Sequence, residues 1–225
     1  MRPDQVHQIL CAIGATHVYH ANTVATSCTF LEQGGLLSRG FVESKGLVQT
    51  PQNSDDVDRR YGIWDCVFMD HVDIHDRAGR RKGPNHYGPV LFQFDRDILL
   101  DLPRDAIVEV TKTNPVHWPG TRSDNDRFFQ SSEELAGNIG FGDFDKMLVL
   151  RAPKVPFARQ PLRIIVDDPE KPIAASANAY EHAVRRLTAA AAVGGIEIEI
   201  QRRACRLGCI CVAKYRGMPI TQKFN

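Results

Sequence analysis

Residues 17–40 read HVYHANTVATSCTFLEQGGLLSRG, and the fold turns on how that run is parsed. His17 to His20 reads as a short strand. Asn22 and Thr23 are residues that start a turn or cap a helix. Val24 to Glu32 then predicts a helix, which Gly34-Gly35 stops, and Leu36-Leu37-Ser38-Arg39-Gly40 follows as a compact apolar connector. A strand therefore delivers a histidine to a turn, a helix leads away, and the chain returns through a connector that ends in an arginine.

Working outward, Pro3 to Ile13 predicts a helix, with Val6, Ile9, Leu10 and Ile13 at helical spacing. Lys45 to Arg60 is polar, holds Pro51, Asn53 and Asp55-Asp56, and reads as a surface loop. Strands are expected at Trp64–Met69, Val90–Phe94, Ala106–Thr111, Lys146–Leu150 and Leu162–Val166, with a helical turn at Asp97–Leu100. Asp73 to Tyr87 reads as a charged loop around Arg80-Arg81-Lys82, and Asn114 to Arg127 as another loop. Phe128 to Asn138 predicts a helix, with Ser131 and Ser132 as candidate caps and Glu133-Glu134 in its first turn. After a break at Asp167–Pro172, Ala174 to Val193 predicts a long alanine-rich helix ended by Gly194-Gly195. Ile196–Gln201 and Leu207–Tyr215 then read as an antiparallel pair. Short mixed strands with few long helices point to α+β rather than a doubly wound sheet. The break sets the expected boundary: a domain over 1–168 and a helix-plus-β-hairpin extension over 169–225.

A chain of 225 residues, 43% hydrophobic and 24% charged, can bury a full core without metal or disulfide staples. No signal peptide and no apolar run of the roughly 18 residues a membrane span needs is visible, so a cytoplasmic protein is expected. The six cysteines are read accordingly as reduced thiols, Cys11, Cys28 and Cys66 in apolar contexts. Cys205, Cys209 and Cys211 have a C-x3-C-x-C spacing that is not a common zinc pattern. The net charge of +1 does not advertise a nucleic-acid binder. Charge is uneven, however. Arg185, Arg186, Arg202, Arg203, Arg206, Lys214, Arg216 and Lys223 form a basic C-terminal stretch against Glu197 and Glu199. Such a surface can attract phosphates, and it is the basis for expecting nucleic acid as a partner.

The strand end Val18-Tyr19-His20-Ala21-Asn22-Thr23 and the connector Gly34-Gly35-Leu36-Leu37-Ser38-Arg39 together resemble the opening of ADP-ribosyltransferases, above all the DarT-type enzymes that modify DNA. They are also similar to RNA 2′-phosphotransferases, which share that fold. In those families the strand ends in H-x-T or a close variant, and a G-L-L-S-R-like connector follows. Here Asn22 stands where a threonine is often seen, and Thr23 comes one place later. The resemblance implies a split mixed β-sheet and a glycosyltransferase that uses NAD as substrate, with nucleic acid or protein as acceptor and a toxin or defence role. It implies that His20 bonds the NAD ribose, that the backbone of Ala21 pairs with the nicotinamide carboxamide, and that Asn22 or Thr23 contacts ribose or phosphate. Tyr61 would stack on nicotinamide and Arg39 would pair with the pyrophosphate. Further on, Phe128-Phe129, Glu133-Glu134 and Met147-Leu148-Val149 follow the order of DarT-type chains, whose last strand starts with a catalytic glutamate. The matching place here is near Asp145-Lys146 and holds no glutamate. A carboxylate is needed because breaking the nicotinamide–ribose bond builds positive charge on the sugar. Asp145, Glu133 and Glu134 are the candidates; otherwise the protein binds nucleotide without transferring it.

Two other readings stand beside this one. Asp70-His71, Asp73, His75 and Asp76 crowd a charged stretch, and with His86 they could hold a divalent metal for a nuclease or phosphodiesterase using His71, Asp73, His75 and His86, although a metal site is not the favoured expectation. Residues 185–223 could form a non-enzymatic nucleic-acid-binding module. No phosphate-loop, dinucleotide or nucleophile-elbow motif occurs.

Overall fold

The chain is described by a computed structural model at residues 1–75, 87–118, 120, 123–157, 161–174, 177–205 and 220–225. Eleven strands are formed by these residues: β1 (His17–Asn22), β2 (Gly35–Leu37), β3 (Val67–Asp70), β4 (Val90–Asp95), β5 (Val108–Val110), β6 (Met147–Leu150), β7 (Lys154–Pro156), β8 (Leu162–Asp168), β9 (Pro172–Ala174), β10 (Ala177–Asn178) and β11 (Ile198–Ala204). The helices are α1 (Pro3–Ala12), α2 (Val24–Glu32), α3 (Arg39–Ser44), α4 (Asp55–Arg60), α5 (Asp124–Arg127), α6 (Ser132–Ala136), α7 (Ala179–Gly194) and α8 (Ile220–Phe224). Short 3-10 turns lie at Arg96–Asp101 and Pro115–His117.

Seven strands make one sheet in the order β11-β8-β4-β1-β3-β6-β5. Only the β8–β11 pair is parallel, so the sheet is mixed and the protein is α+β. β1 pairs with β4 along its whole length, from His17 opposite Asp95 to Asn22 opposite Val90. Its other edge is laddered to β3 at a single position, Tyr19 opposite Asp70. The sheet thus divides into β11-β8-β4-β1 and β3-β6-β5, which part beyond that one pair. This matches the split mixed sheet that the resemblance implied.

The core follows from strands that are apolar on both faces. Val18, Leu91, Phe92, Ile164 and Val166 are all buried; Phe92 stacks on Phe157 and meets Phe30 at a tilt. Burial of such side chains contributes about 1.5–3 kcal/mol each relative to exposure. α7 presents Ala183, Leu187, Ala190 and Ala191 to the core, and its small residues let it lie close on α2. The helices come close at Gly194, where a Cβ would meet the Leu31 carbonyl oxygen at 2.0 Å.

Several expectations are revised. The expected loop at 45–60 ends in α4, and the connector 36–40 contains β2 and opens α3. The helix expected over 128–138 is confined to α6, because Phe128 instead bridges Thr111 in a strand-like pairing. β8 runs through Asp167 and Asp168, so the expected break starts later. β11 pairs in parallel with β8 rather than standing in a separate hairpin; its expected partner, 207–215, lies outside the described residues. Cys11, Cys28, Cys66 and Cys205 are free thiols, and Cys209 and Cys211 lie outside the described residues. Among the described residues no helix is long and apolar enough to cross a membrane.

Candidate functional site at the opening of the sheet

A cavity of ≈ 100 Å³ lies where β1 and β3 part. That is several times the ~10–15 Å³ that one water needs. His20, Ala21 and Asn22 line it from β1, and Phe68 and Asp70 from β3. Arg39 enters from the start of α3, Ser54 and Asp58 from the cap and body of α4, and Tyr87, Asn114 and Met147 close the remaining wall. A second hollow of ≈ 240 Å³ at the other end of β1, around His17, Arg163 and Glu199, contains none of the expected site residues.

His20 spans the split. Its Nδ1–H donates to the Phe68 carbonyl at 2.7 Å, and the ring packs at 5.5 Å from Phe30. Burial pushes its pKa down to about 4 against a raising contribution from that carbonyl. The imidazole is therefore neutral at pH 7, with Nε2 as a hydrogen-bond acceptor. The Asn22 amide donates to Nε2 at 3.3 Å. Asn22 is itself oriented, since its Oδ1 accepts from the Thr23 backbone N–H at 2.9 Å and from Gln52 Nε2 at 3.1 Å. Gly88 passes directly over this turn at φ +142°, where a Cβ would meet the Asn22 carbonyl oxygen at 2.3 Å. Beyond Tyr19, β1 has no β3 partner, which leaves that edge at Ala21 unladdered among the described residues.

Arg39 is the first residue of α3, whose N-cap Ser38 accepts from the Phe41 N–H. Its guanidinium pairs with Asp55 at 2.8 Å and donates to the Thr50 carbonyl at 3.1 Å. Its Nη1 is buried with no hydrogen-bond partner among the described residues. Two carboxyl groups share the cavity. Burial pushes Asp58 up to about 7, partly countered by a bond from Ser54, and pushes Asp70 up to about 8. The Tyr87 phenol is driven up to about 12 by burial first and by Asp70 next.

Of the sequence-derived candidates, His20, Ala21, Asn22 and Arg39 are brought together. Thr23 is not on the cavity wall. It caps α2 and donates to Thr50 Oγ1 at 2.8 Å. Tyr61 is placed elsewhere: its hydroxyl donates to the Trp118 carbonyl and its ring meets Trp118 edge-on at 5.3 Å. The three expected carboxylates are also off the wall. Glu134 pairs with Lys112 at 2.5 Å and accepts from the Gln130 N–H, and Glu133 accepts from Ser132. Asp145 is half-buried, and its backbone carbonyl holds Thr111 Oγ1 at 2.7 Å. Asp58, Asp70, Tyr87 and Asn114 were not singled out for this site; they come from distant segments with no local motif.

The metal candidates do not converge. His71 contacts the Lys146 and Gly140 carbonyls at 3.2 and 3.4 Å, Asp73 takes two bonds from Arg203, and His75 pairs with Asp167 at 3.0 Å. Among the described residues no cluster of three potential ligands forms, and His86 lies outside them. The basic C-terminal stretch is also partly engaged. Arg202 pairs with Asp168, Arg203 with Asp73, and Lys223 is buried. Arg185 is exposed and Arg186 half-buried, while Arg206, Lys214 and Arg216 lie outside the described residues.

No family model and no curated protein matches the chain. Among solved structures it is similar to "Thermus sp. 2.9 DarT in complex with ADP-ribosylated ssDNA", with 13% identity, 84% of this chain and 95% of that chain covered, and a TM-score of 0.49.

Proposed function

We propose that the cavity between β1 and β3 takes the nicotinamide–ribose end of NAD and that the protein is an ADP-ribosyltransferase-type enzyme. The observation that carries this reading is the meeting, in one hollow, of residues from both halves of the 17–40 stretch: His20, Ala21 and Asn22 with Arg39. Each has a matching chemical task. Neutral His20 offers Nε2 as an acceptor for a ribose hydroxyl, sharing or replacing the Asn22 amide. The unladdered edge at Ala21 suits a carboxamide, which needs a donor and an acceptor side by side. The free Nη1 of Arg39 suits a phosphate oxygen. The acceptor of the transferred group is nucleic acid or protein, and Arg185 with Arg186 favours nucleic acid.

The test is titration calorimetry of NAD into the full chain. Wild type is expected to bind, and His20→Ala to weaken binding about tenfold or more, the scale of one good hydrogen bond. Circular dichroism should show the fold retained. Equal affinity in wild type and His20→Ala overturns the assignment.

A further inference from the structure

The cavity contains a carboxyl group that no expectation from sequence had placed there. Asp70 is the last residue of β3 and lies directly opposite Met147, the first residue of β6. Both line the hollow. The beginning of β6 is where the resemblance called for a carboxylate, and there the wall offers a thioether instead. The acid stands one strand over, at the same level of the sheet. The Asp70 residue is 8% exposed, and its carboxyl has no hydrogen bond or ion pair among the described residues. An unpaired buried carboxyl is costly to keep, and such groups gather at functional sites. The other acid on the wall, Asp58, is held by Ser54 and stands on α4, next to the Arg39–Asp55 pair.

We infer that Asp70 is the catalytic carboxylate of this cavity, taking the place on β3 of the acid missing from the start of β6. The inference rests on the NAD reading above. In the reaction the bond from ribose C1′ to the nicotinamide ring nitrogen breaks, and its electron pair leaves with nicotinamide, which becomes neutral. A bond forms from C1′ to the acceptor oxygen or nitrogen, and the acceptor's proton passes to Asp70. Asp70 must be ionised for this, and its negative charge also faces the positive charge that builds on the sugar. Burial favours the protonated form of Asp70. The cationic nicotinamide ring of bound NAD favours release of the proton. The groups around Asp70 agree with that order of events. His20 and Tyr19 on β1 and Tyr87 on the facing wall are uncharged at neutral pH, burial favours the protonated form of Asp58 as well, and the Arg39 guanidinium on the wall is paired with Asp55.

The experiment uses the full chain with NAD, and with water as the acceptor, so that the read-out is nicotinamide release. Wild type should release nicotinamide, and Asp70→Asn should slow this about 100-fold or more, the scale of a lost general base. NAD affinity in Asp70→Asn should change by less than about fivefold, and Asp70→Glu should recover part of the rate. Glu134→Gln, off the cavity wall and paired with Lys112, should stay within about twofold of wild type. Calorimetry in buffers of different ionisation enthalpy should show protons released on NAD binding near pH 7 in wild type and clearly fewer in Asp70→Asn, with Asp58 left as the other acid on the wall. Retained turnover in Asp70→Asn, or proton release undiminished by it, overturns the role of Asp70 and leaves the NAD reading standing. Failure of wild type to bind or cleave NAD overturns both.

Discussion

Hydrogen bonding fixes the form in which His20 faces the cavity: Nδ1 carries the proton, and Nε2 accepts. The same burial that keeps this ring neutral keeps protons on Asp58 and Asp70, and the two effects have opposite consequences for stability. His20 has a folded pKa of about 4 against 6.5 unfolded. Between those values the unfolded chain binds the extra proton, so this residue makes stability rise with pH until 6.5. Asp70 has a folded pKa of about 8 against 3.8. Between those values the folded chain binds the extra proton, so stability falls as pH rises and levels off above about 8. Above 6.5 the histidine contribution is complete and the acids act alone, at no more than about 1.4 kcal/mol per pH unit for each group. Melting temperature is expected to fall between pH 6.5 and pH 8. Asp70→Asn should flatten that fall and melt about 2–4 °C above wild type at pH 8, corresponding to about 1 kcal/mol. Thermal melts of the two proteins at pH 5, 6.5 and 8 check this; parallel curves would show that Asp70 is already ionised in the folded chain.

At the level of elements, what could be read in the sequence was what local chemistry encodes. Thr23 caps α2 through its own side chain, and the helix spans Val24–Glu32 as expected. The six-residue helices α3 and α4 carry too little periodicity to be seen that way; a cap at Ser38 and the Arg39–Asp55 pair hold them. Asp167 and Asp168 looked like a charged break. They continue β8 because His75 and Arg202 supply partners from segments far away in sequence. The site divides along the same line. His20, Ala21, Asn22 and Arg39 belong to one contiguous run, whereas Asp70 sat in a run of Asp and His that invited a metal reading, and only sheet register puts it beside His20. The short elements should therefore be sensitive to their caps. Ser38→Ala removes the acceptor for the Phe41 N–H, so a loss of about 1 kcal/mol, or 2–4 °C, is expected. Arg39 is the residue that this cap positions, so NAD affinity should fall as well. A melt together with a titration reads both, and lower melting with unchanged affinity would disconnect Arg39 from the ligand.

Across the whole molecule, the question is whether residues 169–225 are an appendage or part of the core that shapes the cavity. β11 lies along β8 from Ile198 opposite Leu162 to Ala204 opposite Asp168, and β8 in turn pairs with β4, the full-length partner of β1. α7 covers α2, the helix that begins one residue after the cavity turn and whose Cys28, Phe30 and Leu31 are buried. Removing 169–225 would bare that face and turn β8 into an open edge, a template for aggregation. A chain ending at Asp168 is expected to lose its cooperative melt and its NAD binding together. A gentler probe is Gly194→Ala, whose added Cβ would meet the Leu31 carbonyl oxygen at 2.0 Å. Backbone on one side must move, at about 1–3 kcal/mol, so melting should drop by roughly 2–12 °C. A cooperative melt in the shortened chain would show that the histidine, the arginine and the acid are held by the first 168 residues alone. Its loss, with the graded effect of Gly194→Ala, would place the support of the cavity in the helix that lies behind it.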